Sequence, residues 1–215
     1  MSQEQDQSDV HSDKDVPAVP ELSEEHRTQV REELAEQRAH RSPAKGLVIV
    51  NTGNGKGKTS AALGVLTRAW GQNMRVVMLQ FLKSQTGNWG EIKAAQRMGV
   101  EIIPLGDGFT WTSDDLAHDR ALAQQCWQLC REKIESDQYD VVIMDEITYA
   151  LKYQWLDINE LLTTLRARNP KLHVILTGRD APDELIEFAD LVTEMREIKH
   201  PFKTQGIMAQ RGIEF

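Results

Sequence analysis

Residues 46–70 read GLVIVN, then TGNGKGKTS, then AALGVLTRAW. This order constrains the fold more than any other feature of the chain. A short, continuous apolar run is the mark of a strand covered on both faces. A glycine-rich stretch follows directly, and a helix-forming run follows that. Glycines let backbone N–H groups turn toward an anion with no Cβ in the way. The helix N-terminus adds a partial positive charge. Ending on Gly57, Lys58 and Thr59, the segment is a phosphate loop in the context the motif requires. One position departs from the common pattern: Thr52 stands five residues before Gly57, where glycine is usual. A purely structural glycine turn is the alternative. It leaves the strand before, the helix after and the intact G-K-T without a common cause.

The same alternation continues downstream. Apolar runs predict strands over 46–51, 74–82, 100–104, 140–144, 172–177 and 191–195. Amphipathic segments predict helices over 58–70, 88–98, 114–136 with Ser113 as N-cap, 157–168 and 182–189. Strand and helix in turn make an α/β protein. The fold class is phosphate-loop NTPase-like (RecA-like), a mostly parallel β-sheet flanked by helices.

Residues 140–146 read DVVIMDE, four apolar positions and then two acids. This is the usual second half of a phosphate-loop NTP site. Its strand is expected beside the first one, with its acids at the carboxyl edge of the sheet where ligands bind. One acid suits Mg²⁺, which prefers oxygen ligands. A pair of helix-capping acids is the alternative. Together the two halves predict a nucleoside triphosphate site. They do not say what becomes of the nucleotide.

Charge divides the 215 residues unevenly. Of the net −8, residues 1–45 carry −5, from 11 acidic and 6 basic side chains. The first 20 residues are rich in Gln, Ser and Asp and poor in large apolar side chains, a composition that does not offset the entropy of ordering. Residues 21–41 are strong helix formers with a thin apolar stripe; Ser23 suits a cap, and Glu32 and Glu36 precede Arg38 and Arg41 at helical spacing. Two domains follow: a polar arm over 1–44, disordered then helix-prone, and a globular domain over 45–215. The acidic balance argues against bulk electrostatic binding of nucleic acid. No apolar run is long enough to span a membrane, and no secretory signal is visible. The expected location is the cytoplasm.

Several residues point away from other chemistry. Cys126 and Cys130 lie four apart on a predicted helix, poor geometry for a disulfide, and read as buried thiols. His118, His173 and His200 are scattered and read as surface or satisfied core side chains. Residues 106–111 read GDGFTW and are expected near the sheet edge that carries the phosphate loop. Phe109 and Trp111 in this loop read either as ordinary packing or as a wall for a large, flat, apolar ligand.

TGNGKGKTSAALG, VVMLQFLK, GFTW, VVIMDEITYAL, VILTGRD and the final KHPF…KTQGIMAQRGIEF occur in order and at compatible spacing. In these segments the chain resembles the phosphate-loop ATP:corrinoid adenosyltransferases, the cob(I)yrinic acid a,c-diamide or cob(I)alamin adenosyltransferases. The resemblance runs from about residue 45 to 215. It implies a transferase that moves the 5′-deoxyadenosyl group of ATP to the Co(I) of a corrinoid (cobalamin, cobinamide or cobyrinic acid a,c-diamide) and releases triphosphate. ATP is the co-substrate, and Mg²⁺, or Mn²⁺ in its place, the metal. Carried over, Gly53, Asn54, Gly55, Lys56, Gly57, Lys58, Thr59 and Ser60 hold the triphosphate, with Arg179 as a further phosphate contact. Lys58, Thr59 and Glu146 are the catalytic set. Thr59 and Glu146 are the metal site, with Asp145 in support. Phe109 and Trp111 lie under the corrin and exclude the lower axial ligand. The family is typically homodimeric, takes electrons from a reduced flavoprotein, and can cover the partner's corrinoid with its N-terminal arm. Neither nucleic acid nor membrane is implied.

Two other classes start from the same motifs. A recombinase-type ATPase would make ADP and phosphate, and a regulatory nucleotide-binding module would turn nothing over. The products formed from ATP in the presence of a reduced corrinoid separate all three.

Overall fold

The computed structural model describes residues 23–39, 42–84, 86–106 and 116–214. Phe109, Trp111, the Ser113 cap and the first 22 residues lie outside that set. The chain divides into two compact units, Met1–Pro43 and Ala44–Phe215.

In the first unit, α1 covers Glu24–Ala39 and buries none of its residues. It is helical through its caps and local bonds. Ser23 Oγ accepts from the His26 amide at 3.2 Å, and Arg27 pairs with Glu24 one turn back.

The second unit is a three-layer α/β/α domain. Its strands are β1 (Val48–Thr52), β2 (Val76–Ser84), β3 (Glu101–Gly106), β4 (Val141–Asp145), β5 (His173–Thr177) and β6 (Leu191–Glu194). Every pairing is parallel, and the order is β3-β2-β4-β5-β1-β6. The expected neighbourhood of β1 and β4 is corrected here: β5 lies between them. Adjacency in a parallel sheet is decided by where the crossover helices set each strand down, and no local pattern records that.

Helix α2 (Lys58–Gly71) covers one face, where Ala62, Leu66 and Ala69 pack on Met78, Ile143 and Ile175. On the other face lie α4 (Leu116–Glu135), α6 (Ile158–Ala167) and α7 (Asp183–Phe188), with Trp127, Leu161 and Leu185 over Val50, Leu79, Met144 and Leu176. Alternate residues of each central strand therefore enter opposite cores, which is why the strands read as unbroken apolar runs. Helix α3 (Gly90–Met98) leads into the edge strand β3.

Two short helices have no counterpart among the expected elements: α5 (Thr148–Lys152) and α8 (Pro201–Gln205). Each is one turn long, too brief for a helical period to show. Cys126 and Cys130 are buried free thiols, and burial pushes Cys126 up to about 12 and Cys130 well above its ordinary range. His173 and His200 each accept a backbone N–H through Nδ1. No helix among the described residues is long and apolar enough to cross a membrane.

Candidate functional site

At the carboxyl edge of the sheet, strand register sets the site. Asn51 of β1 stands opposite Thr177 of β5, Met144 of β4 opposite Leu176, and Gln80 of β2 opposite Asp145. Gln80, in the middle of β2, and Asp145 and Thr177, at the ends of β4 and β5, are thus polar neighbours at full burial.

The phosphate loop leaves β1 and enters α2 through Gly53 (φ 92°) and Gly57 (φ 107°), both in the region only glycine adopts without strain. Lys58 is the first helical residue and is buried. Its Nζ donates to the carbonyls of Gly53 at 3.0 Å and Gly55 at 2.8 Å, which leaves one of its three donors. Burial lowers the pKa of this ammonium; Glu146 opposes the shift and Arg179 adds to it. Asn54, Lys56 and Ser60 are exposed on the rim.

The loop is anchored where nothing in its own sequence points. The Gly55 N–H donates to the Met195 carbonyl at 2.6 Å, and the Met195 N–H to the Thr52 carbonyl at 2.8 Å. A Cβ on Gly55 would stand 2.8 Å from the Arg196 carbonyl carbon, so backbone closeness, not only the turn, requires glycine there. The Lys56 ammonium pairs with Glu214 at 2.6 Å.

The two carboxylates differ sharply in their surroundings. Asp145 Oδ1 accepts from Thr59 Oγ1 (2.9 Å) and Thr177 Oγ1 (2.7 Å), and Oδ2 accepts from Gln80 Nε2 (3.2 Å). Thr177 Oγ1 in turn accepts the Glu146 N–H at 2.9 Å. Glu146 itself adopts a left-handed backbone (φ 63°), a strained place for a side chain other than glycine. Its Oε2 is buried without a partner, and so is Thr148 Oγ1. Both atoms lie within 3.3 Å of where a Cβ on Gly178 would stand, so only a bare glycine (φ 140°) lets the Thr148 hydroxyl and the Glu146 carboxyl approach this closely. Burial, then the neighbouring Asp145, push the Glu146 carboxyl up to about 7.

Lys58, Thr59, Asp145 and Glu146 therefore come together, with Arg179 exposed after β5 and close enough to influence both Lys58 and Glu146. Thr59 bonds Asp145, while Glu146 stands beside it with Oε2 buried and unpartnered. β3, the strand that precedes the aromatic segment in sequence, is the sheet edge opposite β6, with β2, β4 and β5 between it and β1; Phe109 and Trp111 themselves lie outside the described residues. Sequence reasoning passed over Gln80, Thr177, Thr148, Gly178, Met195 and Glu214. VVMLQFLK and VILTGRD held a signal for three of them, since a polar residue inside or at the end of a buried strand, or a glycine directly after it, has to be accounted for.

A parallel sheet with a phosphate loop on one strand and a paired hydroxyl and carboxylate across the next defines a phosphate-loop NTPase-like protein. The family described as ATP:corrinoid adenosyltransferase BtuR/CobO/CobP matches residues 44–215, and the chain belongs to that family, a family of transferases. Three curated relatives bear the name corrinoid adenosyltransferase. One from Sinorhizobium sp is 42% identical over 82% of this chain and 84% of its own length. One from Pseudomonas aeruginosa PAO1 is 37% identical over 91% and 98%. One from Escherichia coli K12 is 36% identical over 89% and 97%.

Proposed function

We propose that the protein transfers the 5′-deoxyadenosyl group of ATP to the Co(I) centre of a corrinoid and releases inorganic triphosphate. Family membership supports the reaction class. The observation that carries the site is the cluster of Lys58, Thr59, Asp145 and Glu146 at one sheet edge.

Co(I) is itself the nucleophile, so the protein need supply none. Its electron pair forms the Co–C5′ bond as the C5′–O bond breaks, and triphosphate leaves with that bond's electrons. What remains for the chain is alignment and charge. Holding C5′ and cobalt in line accounts for several kcal/mol of the barrier. The leaving triphosphate gathers negative charge, which Lys58, the helix N-terminus and the loop amides stabilise. Lys56 and Arg179 add charge at the rim, with Gly53, Asn54, Gly55, Gly57, Thr59 and Ser60 lining the phosphates.

The donor set fits Mg²⁺ or Mn²⁺. No group of three or more His, Cys, Asp or Glu among the described residues could hold a metal. A hard ion needs fewer, since phosphates and water complete its shell. Thr59 and Glu146, whose Oε2 is buried and unpaired, would hold it, and Asp145 would orient the Thr59 hydroxyl. Bound there, the ion would neutralise triphosphate charge. Phe109 and Trp111 form the corrin face in this reading. A homodimer, a reduced flavoprotein donor and a cytoplasmic setting complete it, all resting on the resemblance.

The test is product analysis. Incubation with ATP, Mg²⁺, a chemical reductant and cobalamin or cobinamide should give triphosphate and the optical change of a new Co–C bond in equal amounts. ADP formed at a rate indifferent to corrinoid would overturn the proposal in favour of an ATPase.

A further inference from the structure

The phosphate loop is bound to two pieces of chain far from it in sequence. The backbone at Met195 and Arg196 packs against Gly53 and Gly55. Beyond it, after α8 ends on Gly206, the chain returns to the loop. A turn in which the Ile213 and Glu214 amides both donate to the Gln210 carbonyl, at 3.1 and 2.9 Å, sets Glu214 in place. Its carboxylate meets the Lys56 ammonium at 2.6 Å across a separation of 158 residues. The lysine side chain is half exposed and the glutamate only 21% exposed, so the carboxylate is the more fixed partner.

Lys56 is a compact charge on a flexible stem at the mouth of the loop. A carboxylate delivered there by the fold acts at a high effective concentration and occupies the ammonium whenever no stronger anion does. We propose that Glu214 is a tethered competitor for Lys56, which loosens the hold of the loop on triphosphate and speeds its release. This rests on the reading that triphosphate occupies the loop. Substrate and product share that group, so the residue trades some ATP affinity for a site that clears. Lys58, buried and held by loop carbonyls, supplies the binding that the exchange leaves intact.

Titration calorimetry of the full chain with inorganic triphosphate, ATP and AMP tests this. Glu214→Gln should bind triphosphate about two- to fivefold more tightly, the range expected for loss of an exposed ion pair. ATP should tighten similarly and AMP not at all. The gain should shrink at high salt. Glu214→Asp should stay near the wild type, and the gain should vanish in a Lys56→Met background. Unchanged or weaker triphosphate binding by Glu214→Gln overturns the inference, as does an equal gain with Lys56 removed. A wild type that binds neither ATP nor triphosphate overturns the functional reading and the inference with it. A wild type that binds both beside an unresponsive Glu214→Gln overturns the inference alone.

Discussion

The two walls of the site differ at one residue, Glu146. On the loop wall, Lys58 is held by two carbonyls and the Gly55 amide by Met195. Asp145, at the base of the other wall, is equally well satisfied, with three donors. One residue later the terms change. Glu146 has a strained backbone, an unpaired buried oxygen and a carboxyl pushed up to about 7. Satisfied polar groups fix a shape, whereas a buried group left unsatisfied stores an unmet interaction that a ligand completes. Adjacent acids of one motif thus take different work from their surroundings alone.

The largest test of this contrast is Lys58→Met. It removes the one buried cation of the loop and should lower kcat/KM for ATP by about 10²- to 10³-fold, measured as triphosphate released. Glu146→Gln comes next and separates stability from activity. The folded carboxyl titrates near 7 and an unfolded one near 4.5, so the folded state holds the extra proton across that window. Stability therefore falls as pH rises from about 4.5 to 7, with a cost of up to about 3 kcal/mol above it. Glu146→Gln should flatten that slope and raise the Tm at pH 8 in metal-free buffer, while adenosyl transfer drops. A wild-type Tm with no fall across this range would remove the claim that Glu146 is poised.

Asp145→Asn should act in the opposite sense. It weakens bonds from Thr59, Thr177 and Gln80 at full burial and should cost about 2 kcal/mol in urea denaturation. If it proves neutral, the two acids are not as different as their contacts say. Smallest is Gly178→Ala, whose Cβ would stand 2.0 Å from Thr148 Oγ1 at a φ of 140°. A loss of about 1 to 2 kcal/mol is expected, with a raised KM for ATP if displacing Thr148 shifts Glu146.

The sequence carried the elements well where packing is symmetrical. Strands covered on both faces are recognisable because their central residues form unbroken apolar runs, and β1, β4 and β5 fell within two residues of expectation. α5 and α8 escaped because a single turn has no period. The site was half legible. Lys58, Thr59, Asp145 and Glu146 sit in contiguous motifs whose chemistry depends on local order. Gln80, Thr177, Gly178, Met195 and Glu214 enter through strand neighbours and a returning chain, and nothing in the segments around Met195 and Glu214 marks them.

By itself, then, the sequence determined that this chain makes a phosphate loop between a buried strand and a helix, and that two acids end another buried strand. Those are consequences of residue type at short range: glycine where φ is positive, apolar side chains where both faces are covered. Only the tertiary structure decided that β5 separates the two motifs, that Thr177 holds both acids, that Asp145 is satisfied while Glu146 is not, and that Glu214 reaches Lys56. Each depends on which distant groups the sheet order brings within about 3 Å, where hydrogen bonds and desolvation act. That distance is set by packing the whole domain, not by neighbours along the chain.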